Sequence, residues 1–186
     1  MVFADVYDQF VESFVSKMSA LKMGDPMDET VRLGPLATAN GKRDIIELVE
    51  DAKAKGANIL CGGETPEGPG FFYPATVIDG LTDDMRLVME EAFGPVASIY
   101  KVANKEEAIK IANQTTFGLS SAIWSQDTAE QDYFVQHLQA GAVFVNGMTI
   151  SYPELAFGGI KDSGFGRELS DAGIKEFCNL KTVWKA

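Results

Sequence analysis

The chain has 186 residues, 46% of them hydrophobic, and its 16 basic and 27 acidic residues give a net charge of −11. This composition is typical of a folded globular chain, and the acidic balance argues against nucleic acid or an anionic membrane surface as a partner, because both would repel it. No apolar stretch is long enough to span a membrane, and Asp5, Asp8 and Glu12 argue against a signal peptide at the N-terminus. Cys61 and Cys178 are too few for a disulfide framework, so a cytoplasmic setting is expected.

The hydrophobic pattern predicts helices and strands that follow one another along the chain. Apolar residues at four-residue spacing from Val6 to Met18 indicate a first helix, which Gly24 and Pro26 end. Further helices are predicted from their periodicity and end signals at 38–55, 104–113, 127–139 and 168–178. Short apolar or β-branched runs predict strands at 58–61, 71–78, 97–102, 119–124, 142–145 and 181–184.

This alternation predicts an α/β fold, with a mostly parallel open sheet and helices on both faces, because parallel strands need crossover connections. Ligands of such folds meet the loops at the carboxyl ends of the strands. Two loops stand out, Met89–Pro95 and Asn146–Glu168, and the second holds five glycines in 23 residues. A loop of that length in a compact domain is usually functional.

The usual signatures of nucleotide, metal or nucleophilic chemistry are missing. No GxGxxG follows a predicted strand, and no phosphate-binding loop, HExxH or CxxC occurs. The single histidine, His137, lies on a predicted helix far in sequence from any serine or cysteine partner, so we interpret it as a partly exposed helix residue. Cys61 and Cys178 have apolar neighbours and are interpreted as small buried hydrophobes. No catalytic residue and no metal site are predicted.

The adjacent carboxylates Glu90 and Glu91 allow two interpretations. They are either a solvated helix end, or one of them accepts hydrogen bonds from a pair of sugar hydroxyls. Adjacent residues do not face one another, so a dyad that shares a proton is not expected.

Three stretches resemble motifs of the NAD(P)-dependent aldehyde dehydrogenases. Glu90–Val96 resembles their EExFGPV segment, Thr116–Ser120 resembles their T-x-[FY]-G-L motif, and Phe157–Glu168 resembles their FGGxKxSGxGRE loop. The resemblance covers essentially the whole chain and corresponds to the C-terminal part of such an enzyme.

The resemblance implies a division of the chain. Residues 1–180 are expected to form the aldehyde dehydrogenase catalytic domain without its cysteine nucleophile, because in the family that cysteine, the general-base glutamate and the dinucleotide-binding domain precede the matching segment. Residues 181–186 are expected to form an oligomerisation strand that pairs with a neighbouring subunit, which implies a homo-oligomer. The chain alone is expected to be inactive.

The resemblance also implies roles for single residues, with NAD or NADP as the cofactor. Glu91 corresponds to the carboxylate that holds the nicotinamide-ribose hydroxyls, and Phe93 to the aromatic residue that packs beside that ribose. Phe157 corresponds to an aromatic wall of the substrate tunnel. Glu90 keeps its interpretation as a solvated carboxylate, and Asn146 is interpreted as structural.

The substrate is inferred from Phe165–Ser170 and Phe177–Lys185, which resemble bacterial succinate-semialdehyde dehydrogenases. Ser151 matches a serine that helps to bind the distal carboxylate of the substrate in that group, although a loop serine can instead bond its own backbone. The expected reaction is therefore oxidation of succinate semialdehyde, a small-molecule aldehyde, to the acid. The alternatives are an aldehyde of another class or a non-catalytic assembly module.

Overall fold

Six helices and nine short strands make up the computed structural model, which describes residues 1–186. They form two compact units, Met1–Asn104 and Lys105–Ala186, called unit 1 and unit 2. Unit 1 comprises β1 (Val2–Phe3), α1 (Tyr7–Ser19), α2 (Ala39–Ala54), β2 (Asn58–Cys61), β3 (Thr76–Asp79), α3 (Arg86–Met89), β4 (Val96–Ser98) and β5 (Lys101–Val102). Unit 2 comprises α4 (Lys105–Gln114), β6 (Phe117–Gly118), β7 (Ser120–Ile123), α5 (Thr128–His137), β8 (Ala142–Val145), β9 (Ile160–Lys161) and α6 (Ser170–Lys175).

Unit 1 is built around strand β3, which is central in the sheet β2-β3-β4. Neighbouring residues of a strand point to opposite faces, and here Val77 packs in one apolar cluster with Tyr7 of α1, while Ile78 packs in another with Ile45 and Val49 of α2. Helices therefore cover both faces of this sheet, as the sequence pattern predicts.

Unit 2 has smaller sheets. β7 and β8 pair in parallel over their full length, and β6 pairs with β9 antiparallel. Asp127 caps α5 by accepting hydrogen bonds from the backbone N–H groups of Ala129 and Glu130, which satisfies donors that the first turn of a helix leaves free.

The α/β class is confirmed, but the prediction that the strands form one open sheet is not. Three of the five strand pairings are parallel. The strands form four separate sheets of two or three strands, and β2 and β3 are antiparallel. The segment between β2 and β3 contains no helix, so it reverses the chain instead of crossing over the sheet.

Several predicted boundaries also differ. The strand predicted at 71–78 begins only at Thr76, the strand at 97–102 is split into β4 and β5, and the helix at 168–178 is reduced to α6. Residues 181–184, which are predicted to form a strand that pairs with a neighbouring subunit, have no strand partner within the chain. No helix is both long enough and apolar enough to cross a bilayer.

Candidate functional site

The loop Glu90–Pro95 of unit 1 begins with a carboxylate that is fully engaged. The backbone N–H of Glu90 donates to the carbonyl oxygen of Arg86 at 2.8 Å, and the Arg86 guanidinium binds both carboxylate oxygens of Glu90 at 2.7 and 2.8 Å. These hydrogen bonds lower the pKa of Glu90 below its ordinary value. Glu90 is therefore a surface ion-pair partner of Arg86, in agreement with its interpretation as a solvated carboxylate.

The other end of the loop is fixed by packing. A Cβ on Gly94 would lie 2.8 Å from Cγ1 of Ile45, a buried residue of α2, so only glycine allows this approach without displacing Ile45. Next to it, the carbonyl oxygen of Pro95 accepts a hydrogen bond from the N–H of Thr76 at 2.8 Å. The loop is thus attached at its first end to α3 by an exposed ion pair, and at its other end to the core of unit 1.

Between these attachments lie two of the residues that the sequence predicts for the site. Glu91 is exposed and makes no side-chain hydrogen bond or ion pair, so both carboxylate oxygens are available as acceptors. The ring of Phe93 is 80% exposed. A free carboxylate and a free aromatic ring two residues apart can bind a ligand that combines vicinal hydroxyls with a flat ring.

The second long loop, in unit 2, starts at a residue with a structural role. Asn146 has a positive φ of 53°, its side-chain oxygen accepts from the N–H of Ser125 at 3.0 Å, and its side-chain nitrogen donates to the carbonyl oxygen of Ser125 at 2.9 Å. The side chain thereby joins the ends of β8 and β7.

The glycine-rich part of this loop is held by close backbone contacts. Phe157 and Glu168 exchange two backbone hydrogen bonds, of 2.9 and 2.8 Å, which close the segment between them. A Cβ on Gly141 would lie only 1.7 Å from the carbonyl oxygen of Gly158, so the chain passes there only because residue 141 is glycine.

Two polar side chains of the same segment attach it to the end of α4, to Thr115 and to β6. Lys161 donates to the carbonyl oxygens of Asn113 and Thr115, at 3.0 and 2.9 Å, and the hydroxyl of Ser163 accepts from the N–H of Gly118 at 3.0 Å. Two of the sequence motifs, Thr116–Ser120 and Phe157–Glu168, are therefore hydrogen-bonded to one another. The sequence analysis did not predict these positioning roles. The only signal for a contact between the two segments is that both resemble motifs of the same family.

The predicted substrate residues lie on this long loop. Ser151 is exposed and its hydroxyl makes no hydrogen bond within the chain, so the alternative in which it bonds its own backbone is not observed. Phe157 is half-buried, at the position where the glycine-rich segment closes. Of the four predicted site residues, the structure thus places Glu91 and Phe93 on one loop of unit 1, and Ser151 and Phe157 on one loop of unit 2.

Known proteins match the chain throughout. The profile of the aldehyde dehydrogenase family matches residues 1–183. The chain belongs to the aldehyde dehydrogenase family. A succinate-semialdehyde dehydrogenase [NADP(+)] of Mycobacterium ulcerans is 59% identical over 181 residues, which are 97% of this chain and 40% of that protein. The chain therefore spans about 40% of the length of the curated relatives that it matches.

Solved structures agree with this assignment. The succinic semialdehyde dehydrogenase of Streptococcus pyogenes, solved in complex with NADP+, is 40% identical and superposes with a TM-score of 0.94 over 99% of this chain and 40% of its own. The betaine aldehyde dehydrogenase of Staphylococcus aureus, in complex with NAD+, is 32% identical, with a TM-score of 0.89 over 95% of this chain and 36% of its own. The chain thus shares the fold of aldehyde dehydrogenases.

The side chains of unit 1 fit part of a nicotinamide nucleotide. A ribose presents two neighbouring hydroxyl donors, and the unpaired carboxylate of Glu91 can accept both. The exposed ring of Phe93 offers an apolar face beside that carboxylate. No group of three or more His, Cys, Asp or Glu side chains is arranged to hold a metal ion.

Neither cysteine lies in a setting that would make it a nucleophile. Cys61 is half-buried in β2, where its thiol donates to the carbonyl oxygen of Ala75 at 3.8 Å. Cys178 is exposed, so its predicted burial is wrong, and its thiol lies 3.5 Å from the carbonyl oxygen of Ile174. The ring of His137 is stacked on Tyr133 at a centroid distance of 4.2 Å, and its Nδ1 lies 2.7 Å from the carbonyl oxygen of Tyr133.

Proposed function

We propose that this chain provides cofactor-binding and substrate-binding surfaces of an aldehyde dehydrogenase that oxidises succinate semialdehyde with NADP+ or NAD+. The observation that carries the proposal is the loop Glu90–Pro95, which is fixed at both ends and leaves a carboxylate and an aromatic ring free between them. The 59% identity to a succinate-semialdehyde dehydrogenase [NADP(+)] supports the choice of aldehyde and of cofactor.

On the cofactor side, Glu91 accepts hydrogen bonds from the hydroxyls of the nicotinamide ribose, and Phe93 packs beside that ribose. A bound nicotinamide nucleotide supplies the hydride acceptor of the reaction. The contribution of this chain is to bind and orient, because one end of the loop is attached to Arg86 of α3 and the other end to buried residues of α2 and β3.

On the substrate side, the free hydroxyl of Ser151 donates to the distal carboxylate of the aldehyde, and Phe157 provides an apolar wall. A hydroxyl donor suits a carboxylate, which only accepts hydrogen bonds. The half-burial of Phe157 and its closed backbone bridge to Glu168 hold that wall in place.

The 186-residue chain by itself is expected to show no dehydrogenase activity. A nucleophilic thiolate needs an electropositive, partly exposed setting, and neither Cys61 nor Cys178 has a cationic side chain bonded to its sulfur. Formation of reduced cofactor by the pure chain, verified by intact mass, would overturn this expectation.

The proposal is tested in a chimera in which these residues replace the matching 40% of the Mycobacterium ulcerans relative. The chimera should oxidise succinate semialdehyde. Glu91→Gln should raise the KM for NADP+ about tenfold, because a neutral amide replaces a charge-assisted acceptor. Glu12→Gln, on an exposed position of α1, is the matched control and should leave that KM unchanged. An active chimera in which Glu91→Gln has no effect on the KM for NADP+ would contradict the role of Glu91.

The choice of aldehyde is tested with Ser151→Ala in the same chimera. The KM for succinate semialdehyde should rise, because the distal carboxylate loses a donor, while the KM for an uncharged aldehyde of equal length should not change. Equal effects on both substrates would favour an aldehyde of another class.

A second candidate function is assembly, which the C-terminal segment of unit 2 favours. Five of its large apolar side chains are between 69% and 94% exposed: Ile174, Phe177, Leu180, Val183 and Trp184. Exposed apolar surface of this kind marks protein contact sites, so we propose that this segment joins copies of the chain. Sedimentation should show dimers or larger species that Phe177→Ser with Trp184→Ser converts to monomers. A monomeric wild-type chain would count against the assembly role.

A further inference from the structure

Arg86 lies at the centre of a polar cluster that joins α2 to the loop Glu90–Pro95. Its backbone N–H donates to Oδ2 of Asp51 at 2.9 Å, and its guanidinium forms a bidentate ion pair with Glu90, with hydrogen bonds of 2.7 and 2.8 Å. Nη1 of the same guanidinium lies 3.7 Å from Oε2 of Glu47. One residue therefore binds two carboxylates of α2 and the first carboxylate of the loop.

The α2 side of this cluster is rigid. Asp51 is also bound by Lys55, at 2.9 Å, and the intervening turn of α2 contributes Leu48 and Val49 to the core, where they are at most 3% exposed. The hydrogen bonds from Lys55 and from the backbone of Arg86 hold the pKa of Asp51 below its ordinary value. The cluster thus has a fixed attachment point.

The loop side of the cluster depends on Arg86. An Arg–carboxylate pair with two parallel hydrogen bonds fixes direction as well as distance, and this is the geometry in which an exposed ion pair is most effective. Past Glu90, the backbone N–H groups of residues 91–93 make no hydrogen bond, and the next attachment is Gly94 on Ile45. The position of Glu91 is consequently set by two attachments, the Arg86–Glu90 pair before it and the contact of Gly94 with Ile45 after it. The first involves the residue directly next to Glu91.

We propose that Arg86 is a positioning residue of the cofactor site: by holding Glu90 against α2 it fixes where Glu91 presents its carboxylate to the ribose of the nucleotide. This inference rests on the proposed role of Glu91. A group that is held in place before binding loses less conformational freedom on binding, so Arg86 raises affinity without touching the nucleotide.

The effect should appear in binding and not in turnover. The ribose does not react, so its contact with Glu91 is equally strong in the ground state and in the transition state, and weakening it raises KM while leaving kcat unchanged. Arg86→Met, which keeps most of the apolar stem, should raise the KM for NADP+ about threefold in the chimera.

The matched control is Arg43→Met. Arg43 lies on α2 and approaches the same Glu47, at 3.7 Å, but has no contact with the loop. In the isolated 186-residue chain, hydrogen exchange of the segment 86–96 should be faster in Arg86→Met and unchanged in Arg43→Met. This measurement needs neither cofactor nor activity.

A double-mutant cycle separates positioning from general stabilisation. Glu90→Gln should raise the KM for NADP+ as Arg86→Met does, and the double variant should be no worse than either single one, because both remove the same pair. Arg86→Lys keeps the positive charge but cannot form the bidentate pair with Glu90, so it should give an intermediate KM for NADP+.

Three results would overturn the proposal: equal behaviour of Arg86→Met and Arg43→Met, additive effects of Arg86→Met and Glu90→Gln, or faster exchange throughout unit 1 with a lowered kcat. If Glu91→Gln raises the KM for NADP+ and Arg86→Met does not, only this inference fails. If Glu91→Gln itself has no effect, the proposed function fails and the role of Arg86 fails with it.

Discussion

The two units of the chain differ in what they do with their apolar side chains. Unit 1 contains fourteen of the sixteen buried hydrophobic residues, although it makes up little more than half of the chain. Unit 2 contains fifteen of the twenty-three large hydrophobic residues that are exposed. Unit 1 therefore has a core of its own, whereas unit 2 presents much apolar surface that is suited to contact with other protein surface.

The two loops that carry the candidate site differ in the same way. In unit 1 the loop Glu90–Pro95 is attached to buried residues of a helix and a strand. In unit 2 the loop Asn146–Glu168 is held by backbone contacts at glycines. The non-glycine residues of the chain with a positive φ lie in this loop or directly after it, namely Asn146, Lys161, Leu169 and Ser170. Strained backbone of this kind persists only where the surrounding contacts enforce it, and it clusters at functional sites.

The largest expected effect tests whether unit 1 alone has a tight core. Ile78→Ala, at a fully buried position of β3, should lower the free energy of unfolding by about 2–5 kcal/mol, because it removes buried methyl groups and leaves a cavity. Ile123→Ala, the same change on the half-buried strand β7, should cost less than half as much. Urea denaturation, monitored by hydrogen exchange, measures the unfolding of each unit separately. Equal losses of free energy of unfolding in the two variants would mean that the two units are equally well packed.

A second, smaller effect tests the backbone contacts of unit 2. Gly141→Ala should destabilise this unit by about 1–3 kcal/mol, since the added Cβ would overlap the carbonyl oxygen of Gly158. Gly147→Ala, beyond the other end of β8, is the matched control, because its Cβ would meet only an ordinary contact 3.9 Å away. Thermal unfolding of unit 2, monitored by hydrogen exchange, measures the stability of both variants. Equal stabilities of Gly141→Ala and Gly147→Ala would contradict a close contact between Gly141 and Gly158.

Much of unit 1 could be predicted from the sequence, because its signals are local. The periodicity of α2 and the apolar run of β2 each depend on neighbouring residues alone, and both are observed. The pairing of the strands was not predictable in the same way. Whether β2 runs parallel or antiparallel to β3 depends on the path of the connection, which hydrophobic pattern does not report.

The candidate site was predictable in part and for a different reason. The residues alone did not distinguish Glu90 from Glu91 as a candidate for the sugar-binding carboxylate, and the EExFGPV resemblance selects Glu91. In the structure Glu90 is bound by Arg86, whereas the side chain of Glu91 has no hydrogen-bond partner. The contact of Gly141 with Gly158 joins residues 17 positions apart through backbone atoms, so no side-chain pattern could indicate it.

The smallest expected effect concerns a tyrosine that joins α1 to the sheet of unit 1. The hydroxyl of Tyr7 donates to Oδ2 of Asp79 at 2.7 Å, and Tyr7→Phe should cost about 1 kcal/mol near neutral pH through the loss of this hydrogen bond. The same variant should also change how the free energy of unfolding of unit 1 depends on pH. Burial, followed by the hydrogen bond to Asp79, raises the pKa of Tyr7 from 10 to about 12.

The sign of that dependence follows from linkage. The folded chain holds the proton of Tyr7 more tightly than the unfolded chain does, so the stabilisation is complete below pH 10 and is lost as the pH rises towards about 12. Burial also raises the pKa of Tyr73 to about 12, so Tyr7→Phe should reduce this alkaline loss without abolishing it. Urea denaturation of unit 1 at several pH values between 8 and about 12 gives the free energy of unfolding as a function of pH for the wild-type chain and for Tyr7→Phe. Parallel curves for the wild-type chain and Tyr7→Phe would mean that Tyr7 keeps its ordinary pKa and that α1 is joined to the sheet by apolar packing alone.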